Sequence, residues 1–348
     1  MGDWKTFADK IKEFLKSKNL GAAKEELATG LEKIPNQVNL LTIATDVYRA
    51  SGDREKSLEY SDLLITHHPE NWNGYGRAAQ DLVVLKRFEE AKIKVQKGFR
   101  KHQNQFIVFY EDDFLRILVK HVPESKTCVV QCGGQSIPES ALMNTDFENA
   151  NTFRIIDKEE RWSNSIDIDV LKDFFALFGP FSEVIATGVS SNGTSALFLG
   201  PLLNAKTIVV FSPQYTVFPD YNPTLFANMS RNKRVAERIN GIKEWRYKSL
   251  KDVDKHGSQE FVFFGDTQHD LSQCKSFLDN PIKVRRCIPI KRTAHVCNKD
   301  LEKSGILSPL IRLCLDGASE SDCIQLLNEY RFEVYRELPE GIAAALSA

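Results

Sequence analysis

The sequence has no block of one charge. Its 348 residues carry 46 Lys and Arg against 47 Asp and Glu, a formal net charge of -1. That balance offers no electrostatic footprint for a phosphate backbone, so nucleic acid is not an expected partner. No run approaches 18 apolar residues, which excludes a membrane-spanning helix. The opening Met1-Gly2-Asp3-Trp4-Lys5 lacks the apolar core of a secretory signal. The seven cysteines, at 128, 132, 274, 287, 297, 314 and 323, include no C-x-x-C pair, and His67-His68 stand without a cysteine pair at ligand spacing. A zinc site is therefore not expected. Without a signal, the cysteines read as reduced, buried thiols of a cytoplasmic chain. Apolar content of 42% and charged content of 27% are those of an ordinary globular protein, with length enough for two cores.

The first third repeats. Phe14, Tyr48 and Leu82 share one register at a spacing of 34 residues. Ala23, Ser57 and Ala91 share a second, and Gly30, Leu64 and Gly98 a third. Trp4, Val38 and Trp72 open three units; Pro35 and Pro69 close two of them, with Gln103 in the third place. Lys86 stands where the second unit has Gly52. Small residues let paired helices approach, large ones fill between them, and proline stops a helix by lacking an N–H. This pattern resembles the tetratricopeptide repeat (TPR). Such arrays bind proteins or pack on a neighbour. A protein partner or self-association through the helices is expected, with a purely supporting role as the alternative. The expected domain is residues 1–122, with a helix over Phe106 to His121 as its cap.

After the linker Pro123-Glu-Ser-Lys126 the period changes. Short β-type runs at Thr127–Cys132, Thr152–Ile156, Glu183–Thr187, Thr207–Ser212, Glu260–Gly265 and Val284–Ile290 alternate with helical stretches. Those stretches are Asp169–Phe178, Thr194–Leu203, Ser272–Leu278 and Pro309–Leu315, and a last helix is expected over Glu320 to Arg336. The alternation predicts an α/β domain over residues 123–348 with a mostly parallel sheet and covering helices. In such a sheet, functional residues sit just beyond the carboxyl ends of the strands.

Glu183-Val-Ile-Ala-Thr-Gly-Val-Ser-Ser-Asn-Gly-Thr-Ser195 reads as strand, tight turn and helix with a serine at the apex. That is the layout of a nucleophile elbow, Gly-x-Ser-x-Gly. Ser190 has Gly188 before it but Asn192 in place of the second glycine, with Gly193 one residue on. Ser191 has Gly193 but Val189 in place of the first. Ser190 is preferred as nucleophile and Ser191 is the alternative. Asp266 and Asp270 follow the fifth run, and His295 follows the sixth. Serine, then aspartate, then histidine is the chain order of the α/β-hydrolase triad. The usual acid lies a few residues into its loop, which favours Asp270 and leaves the other aspartate to cap a helix. His269 and His256 read as bystanders. The Ser191 N–H and a loop at Cys132-Gly133-Gly134 are the expected oxyanion donors.

From about Lys126 to Leu315 the chain resembles α/β-hydrolase-like proteins that accompany bacterial surface-polysaccharide synthesis, the capsule O-acetyltransferase type among them. The residues that carry the resemblance are Gly188-Val-Ser-Ser-Asn-Gly193, Phe211-Ser-Pro-Gln214, Ala294-His-Val296 with Leu301 and Gly305-Ile-Leu307, and the loop Asp157 to Trp162. The resemblance implies serine-dependent acyl transfer, as esterase or O-acetyltransferase. The substrate would be a surface polysaccharide or another acyl ester, and acetyl-CoA the acyl donor, with no bound cofactor. Two other readings compete. Asp167-Ile-Asp169 matches the D-x-D of a metal-dependent glycosyltransferase, although it sits where a helix opens and Asp169 makes an N-cap. A scaffold whose hydrolase-like domain has lost its chemistry is the other, and Asn192 is the feature that keeps it in view.

Overall fold

The computed structural model describes residues 4–101, 106–134, 149–219, 233–253, 257–282 and 284–343. The chain divides into two compact units, Met1–Glu111 with Ile117–Pro123, and Asp112–Arg116 with Glu124–Ala348.

The first unit opens with six helices, α1 (Trp4–Lys16), α2 (Leu20–Lys33), α3 (Val38–Ala50), α4 (Arg54–His67), α5 (Trp72–Val84) and α6 (Phe88–Lys101). Odd-numbered helices start at 4, 38 and 72 and even-numbered ones at 20, 54 and 88, so both sets keep the 34-residue spacing. Polar side chains of Asn19, Gln37, Asp53 and Asn71 accept backbone N–H groups at the starts of α2 to α5. Each turn within a unit needs one left-handed residue: Lys18 at φ 58°, Gly52 at 78° and Lys86 at 60°. Glycine adopts that conformation freely, whereas a side chain costs about 1 kcal/mol or more. Ala23, Ser57 and Ala91 are wholly buried, as close helix approach requires. The buried carboxylate of Asp81 accepts from Arg49 Nε at 2.8 Å, Arg54 Nη1 at 3.1 Å and Ser57 Oγ at 2.6 Å, which ties α3, α4 and α5 together.

The helix expected over Phe106 to His121 is instead a hairpin, β1 (Ile107–Glu111) and β2 (Leu115–Lys120). The reason is legible in the residues. Ile107-Val-Phe-Tyr110 and Leu115-Arg-Ile-Leu-Val119 are β-branched and aromatic runs. Between them Asp112 Oδ1 accepts the N–H groups of Phe114 and Leu115, both at 2.7 Å, and closes the turn.

In the second unit six parallel strands pair in the order β4-β3-β5-β6-β7-β8. They are β3 (Thr127–Gly134), β4 (Asn151–Asp157), β5 (Glu183–Val189), β6 (Thr207–Phe211), β7 (Gln259–Phe264) and β8 (Arg285–Pro289). The central runs Thr207-Ile-Val-Val-Phe211 and Phe261-Val-Phe-Phe264 are buried at every residue, as sheets covered on both faces demand. The helices are α7 (Ile168–Phe178), α8 (Ser191–Leu202), α9 (Lys233–Asn240), α10 (Gln268–Asp279), α11 (Cys297–Lys303), α12 (Leu307–Leu315), α13 (Glu320–Glu329) and α14 (Glu340–Ala343). This is a mostly parallel, α/β-hydrolase-like sheet with covering helices. The α13 helix stops seven residues short of the expected Arg336. Arg331 turns left-handed at φ 65°, and Val334 then bridges to Ile290 as an extended segment. Among the described residues no helix is long and apolar enough to cross a membrane.

Candidate active site

Parallel pairing brings the ends of β5, β7 and β8 to one edge of the sheet, and Ser190, Asp270 and His295 each follow one of them. The turn after β5 is tight. Ser190 takes φ 55° and ψ -126°, a conformation that crowds an L-residue. Two hydrogen bonds hold it, Ser190 N–H to Phe211 O at 2.8 Å and Thr194 N–H to Ser190 O at 3.1 Å. Gly188 makes the turn sterically feasible, since a Cβ there would stand 2.2 Å from the Asn192 carbonyl oxygen. At Gly193 a Cβ would come no closer than 3.2 Å to anything. The missing glycine at Asn192 therefore leaves the tightest contact, at Gly188, relieved.

His295 Nε2 lies 3.0 Å from Ser190 Oγ, and His295 Nδ1 lies 2.7 Å from Asp270 Oδ1. A carboxylate only accepts, so Nδ1 carries the proton and Nε2 is left to accept from the serine. The imidazole side chain is 35% exposed, whereas the Asp270 carboxylate is fully buried. Asp270 is fixed from its own helix: Thr267 Oγ1 donates to Asp270 Oδ2 at 2.8 Å and accepts the Asp270 N–H at 3.1 Å. Gly265 allows the two loops to meet, because a Cβ there would lie 2.1 Å from the Ala294 carbonyl oxygen.

The other aspartate does different work. Asp266 Oδ1 accepts from the Tyr335 hydroxyl at 2.6 Å and Oδ2 from the Arg292 N–H at 2.7 Å. The Arg292 bond fastens the segment that leads to His295, the Tyr335 bond ties in the segment after α13, and neither reaches the imidazole. That hydrogen bond, with burial second, raises the Tyr335 phenol above its ordinary range. Ser191 is the first residue of α8 and does not share the His295 bond. Its N–H belongs to the opening turn, which the helix itself leaves unsatisfied and which carries the positive end of the dipole.

Cys132, Gly133 and Gly134 are not a loop but the last residues of β3, with Gly133 opposite Ile156 and Gly134 opposite Asp157. Parallel pairing with β4 carries the strand two residues beyond the expected end. A Cβ at Gly134 would meet Glu160 Oε1 at 2.6 Å, so that glycine admits the Glu160 carboxylate. Burial, ahead of Asp157, pushes the Cys132 thiol up to about 12. Residues 135–148, which include Gln135, lie outside the described residues, as does His256. Asp167 caps α7, its carboxylate accepting the N–H groups of Asp169 and Val170 at 3.0 and 3.3 Å. Asp169 is not the cap but a first-turn residue of that helix.

His269 stands edge-on to His295 with ring centroids 5.3 Å apart. Burial and then the neighbouring His295 hold its pKa below the ordinary histidine range. His269, Asp270 and His295 form a group of potential metal ligands with donor atoms within 4.8 Å of one another. His295 Nδ1 and Asp270 Oδ1 of this group already bond each other, which suits holding a proton. Gln214 also reaches the serine hydroxyl, and its position in the sequence alone did not betray this: Gln214 Nε2 lies 3.3 Å from Ser190 Oγ.

No protein-family model matches the chain, and no curated protein matches it. Among solved structures, the capsule O-acetyltransferase of Neisseria meningitidis serogroup A is similar at 14% identity, over 57% of this chain and 92% of that one, with a TM-score of 0.42. A mutant of the same enzyme, in complex with CoA, is similar at 13% identity over 58% of this chain and 94% of its own, with a TM-score of 0.42. The carboxylesterase CesB (YbfK) of Bacillus subtilis gives 15% identity, 67% and 98% coverage and a TM-score of 0.37. The helical repeats are similar to the Sgt2 TPR domain of Aspergillus fumigatus at 19% identity, over 29% of this chain and 68% of that domain, with a TM-score of 0.28.

Proposed function

We propose that the protein carries out serine-dependent acyl transfer with Ser190 as nucleophile, His295 as general base and Asp270 as the carboxylate that orients the imidazole. The carrying observation is the unbroken run of hydrogen bonds Ser190 Oγ–His295 Nε2 and His295 Nδ1–Asp270 Oδ1, at 3.0 and 2.7 Å, on a strained turn at a strand end. In the first half-reaction Ser190 Oγ attacks the acyl carbon as its proton passes to His295 Nε2. The carbonyl electron pair moves onto oxygen, where the Ser191 N–H and the α8 dipole stabilise it. The bond from carbon to the leaving group then breaks, and His295 returns the proton to the departing oxygen or sulfur. In the second half an acceptor hydroxyl repeats the sequence on the acyl-serine. Water as acceptor gives an esterase; a sugar hydroxyl gives an O-acetyltransferase.

The substrate we favour is an acyl ester on a surface polysaccharide, with acetyl-CoA as donor in the transferase case. The helical repeats serve a protein partner or a second copy of the chain, and the site of action is cytoplasmic. Hydrolysis of an acetyl ester and consumption of acetyl-CoA, each with and without acetylatable polysaccharide, test the reading. Activity in either assay that disappears in Ser190→Ala is the expected result. Equal activity in Ser190→Ala rejects Ser190 and moves the reading to Ser191.

A further inference from the structure

The geometry points to Gln214 as a second group, beside His295, acting on the reacting oxygen, through a hydrogen bond donated directly to Ser190 Oγ; this deepens, and rests on, the reading of Ser190 as nucleophile. Gln214 follows β6 and is 4% exposed. The orientation of its amide is fixed by chemistry. An indole N–H can only donate, and Trp162 Nε1 lies 3.1 Å from Gln214 Oε1. Thr194 Oγ1 lies 3.1 Å from the same oxygen and also accepts the Gln214 backbone N–H at 2.8 Å. With Oε1 taken up there, Nε2 must face Ser190 as a donor, 3.3 Å from Oγ.

The support extends one layer further. Trp162 is 2% exposed and sits left-handed at φ 52°, between Glu160 at 52° and Ser163 at 62°. Three bulky or polar residues in that region within four positions is costly backbone. It is held by the buried Asp157 carboxylate, which accepts the N–H groups of Arg161 and Ser163 at 2.8 Å and of Glu159 at 3.2 Å. Desolvation raises the Asp157 pKa and these backbone donors oppose the rise. The loop thus aims one indole N–H at one amide oxygen. Trp162 and Thr194 are positioning residues; Gln214 touches the reacting atom.

The hydroxyl has one proton and two lone pairs. The proton goes to His295, one lone pair attacks, and the other accepts from Gln214. As the proton leaves, Oγ gains negative charge and the bond from Gln214 becomes charge-assisted, hence stronger than in the resting hydroxyl. An interaction that strengthens on the way to the transition state lowers the barrier. When the acyl-serine breaks down, Oγ departs with its electron pair, and the same donor stabilises it.

A fluorophosphonate probe isolates the first step. Oγ forms a bond to phosphorus, fluoride leaves with the P–F electron pair, and the proton goes to His295. Gln214→Glu keeps the acceptor for Trp162 and Thr194 but replaces the donor to Ser190 with a carboxylate oxygen. Its maximal labelling rate is expected to fall about 10- to 100-fold, with the probe's half-saturation unchanged. Trp162→Phe is expected to slow wild-type labelling severalfold and to add nothing to Gln214→Glu, a non-additive cycle that a merely structural role would not produce. If Gln214→Glu does not fold, Gln214→Met reads the same step. Wild-type labelling rates in the Gln214 variants overturn this inference and leave Ser190 standing. Additive effects of the two variants overturn the link through Trp162. A wild-type chain that the probe does not label overturns the nucleophile and this inference together.

Discussion

At the scale of single residues, the two aspartates carry the sharpest contrast. Asp270 bonds the imidazole and Asp266 bonds the Tyr335 hydroxyl and the Arg292 N–H. Asp270→Asn preserves shape but favours the wrong tautomer, so esterase turnover should fall roughly 10³- to 10⁴-fold. Asp266→Asn should stay within about tenfold of wild type, since its amide oxygen still accepts from the backbone. Comparable losses in both variants would contradict the assignment. His269 gives a pH signature. Burial and His295 hold its folded pKa below that of the unfolded chain. As pH falls the unfolded chain therefore protonates first, so stability is full above the unfolded value, near pH 6.5, and is lost as pH falls through the folded one. His269→Gln should flatten that loss in denaturant melts at pH 7.5 and 5.5; parallel losses in both proteins would remove the argument. Ser190, Asp270 and His295 were legible because chain order and strand ends constrain them. Gln214 was not, because its role depends on which way an amide faces, and that is set by Trp162 from 52 residues away.

At the scale of elements, local patterning specified most of the secondary structure. The 34-residue period located six helices, and continuous apolar runs located the central strands. Failures came where a helix and a strand share composition. Phe106 to His121 contains enough apolar residues for either, and the Asp112 turn decided for a hairpin. The tail after α13 left the helix because Arg331 turns left-handed and Val334 bridges to Ile290. The elbow deviates from its motif at Asn192 and still closes, since the tightest approach, 2.2 Å for an added Cβ, falls at Gly188. Gly188→Ala should destabilise the domain by about 1–3 kcal/mol through overpacking and abolish probe labelling. A Gly188→Ala protein with an unchanged melting temperature would show that the turn has slack that its geometry denies.

At the scale of the whole molecule, two units each bury their own core, one around Ala23, Leu27 and Leu40 and the other around Val209, Phe261 and Ile288. Repeat spacing and the change of period after the Pro123 linker are the sequence features from which a division at residues 122 and 123 was expected; Asp112–Arg116, within the expected first part, groups with the second unit. The substrate was not readable, because a parallel sheet with a serine at a strand end hosts many acyl chemistries. The most direct test of the central claim is peptide mapping of the intact chain after reaction with a fluorophosphonate. The expected result is one adduct, on Ser190, absent from both Ser190→Ala and His295→Ala. An adduct on Ser191, or none at all on the native protein, would contradict the account.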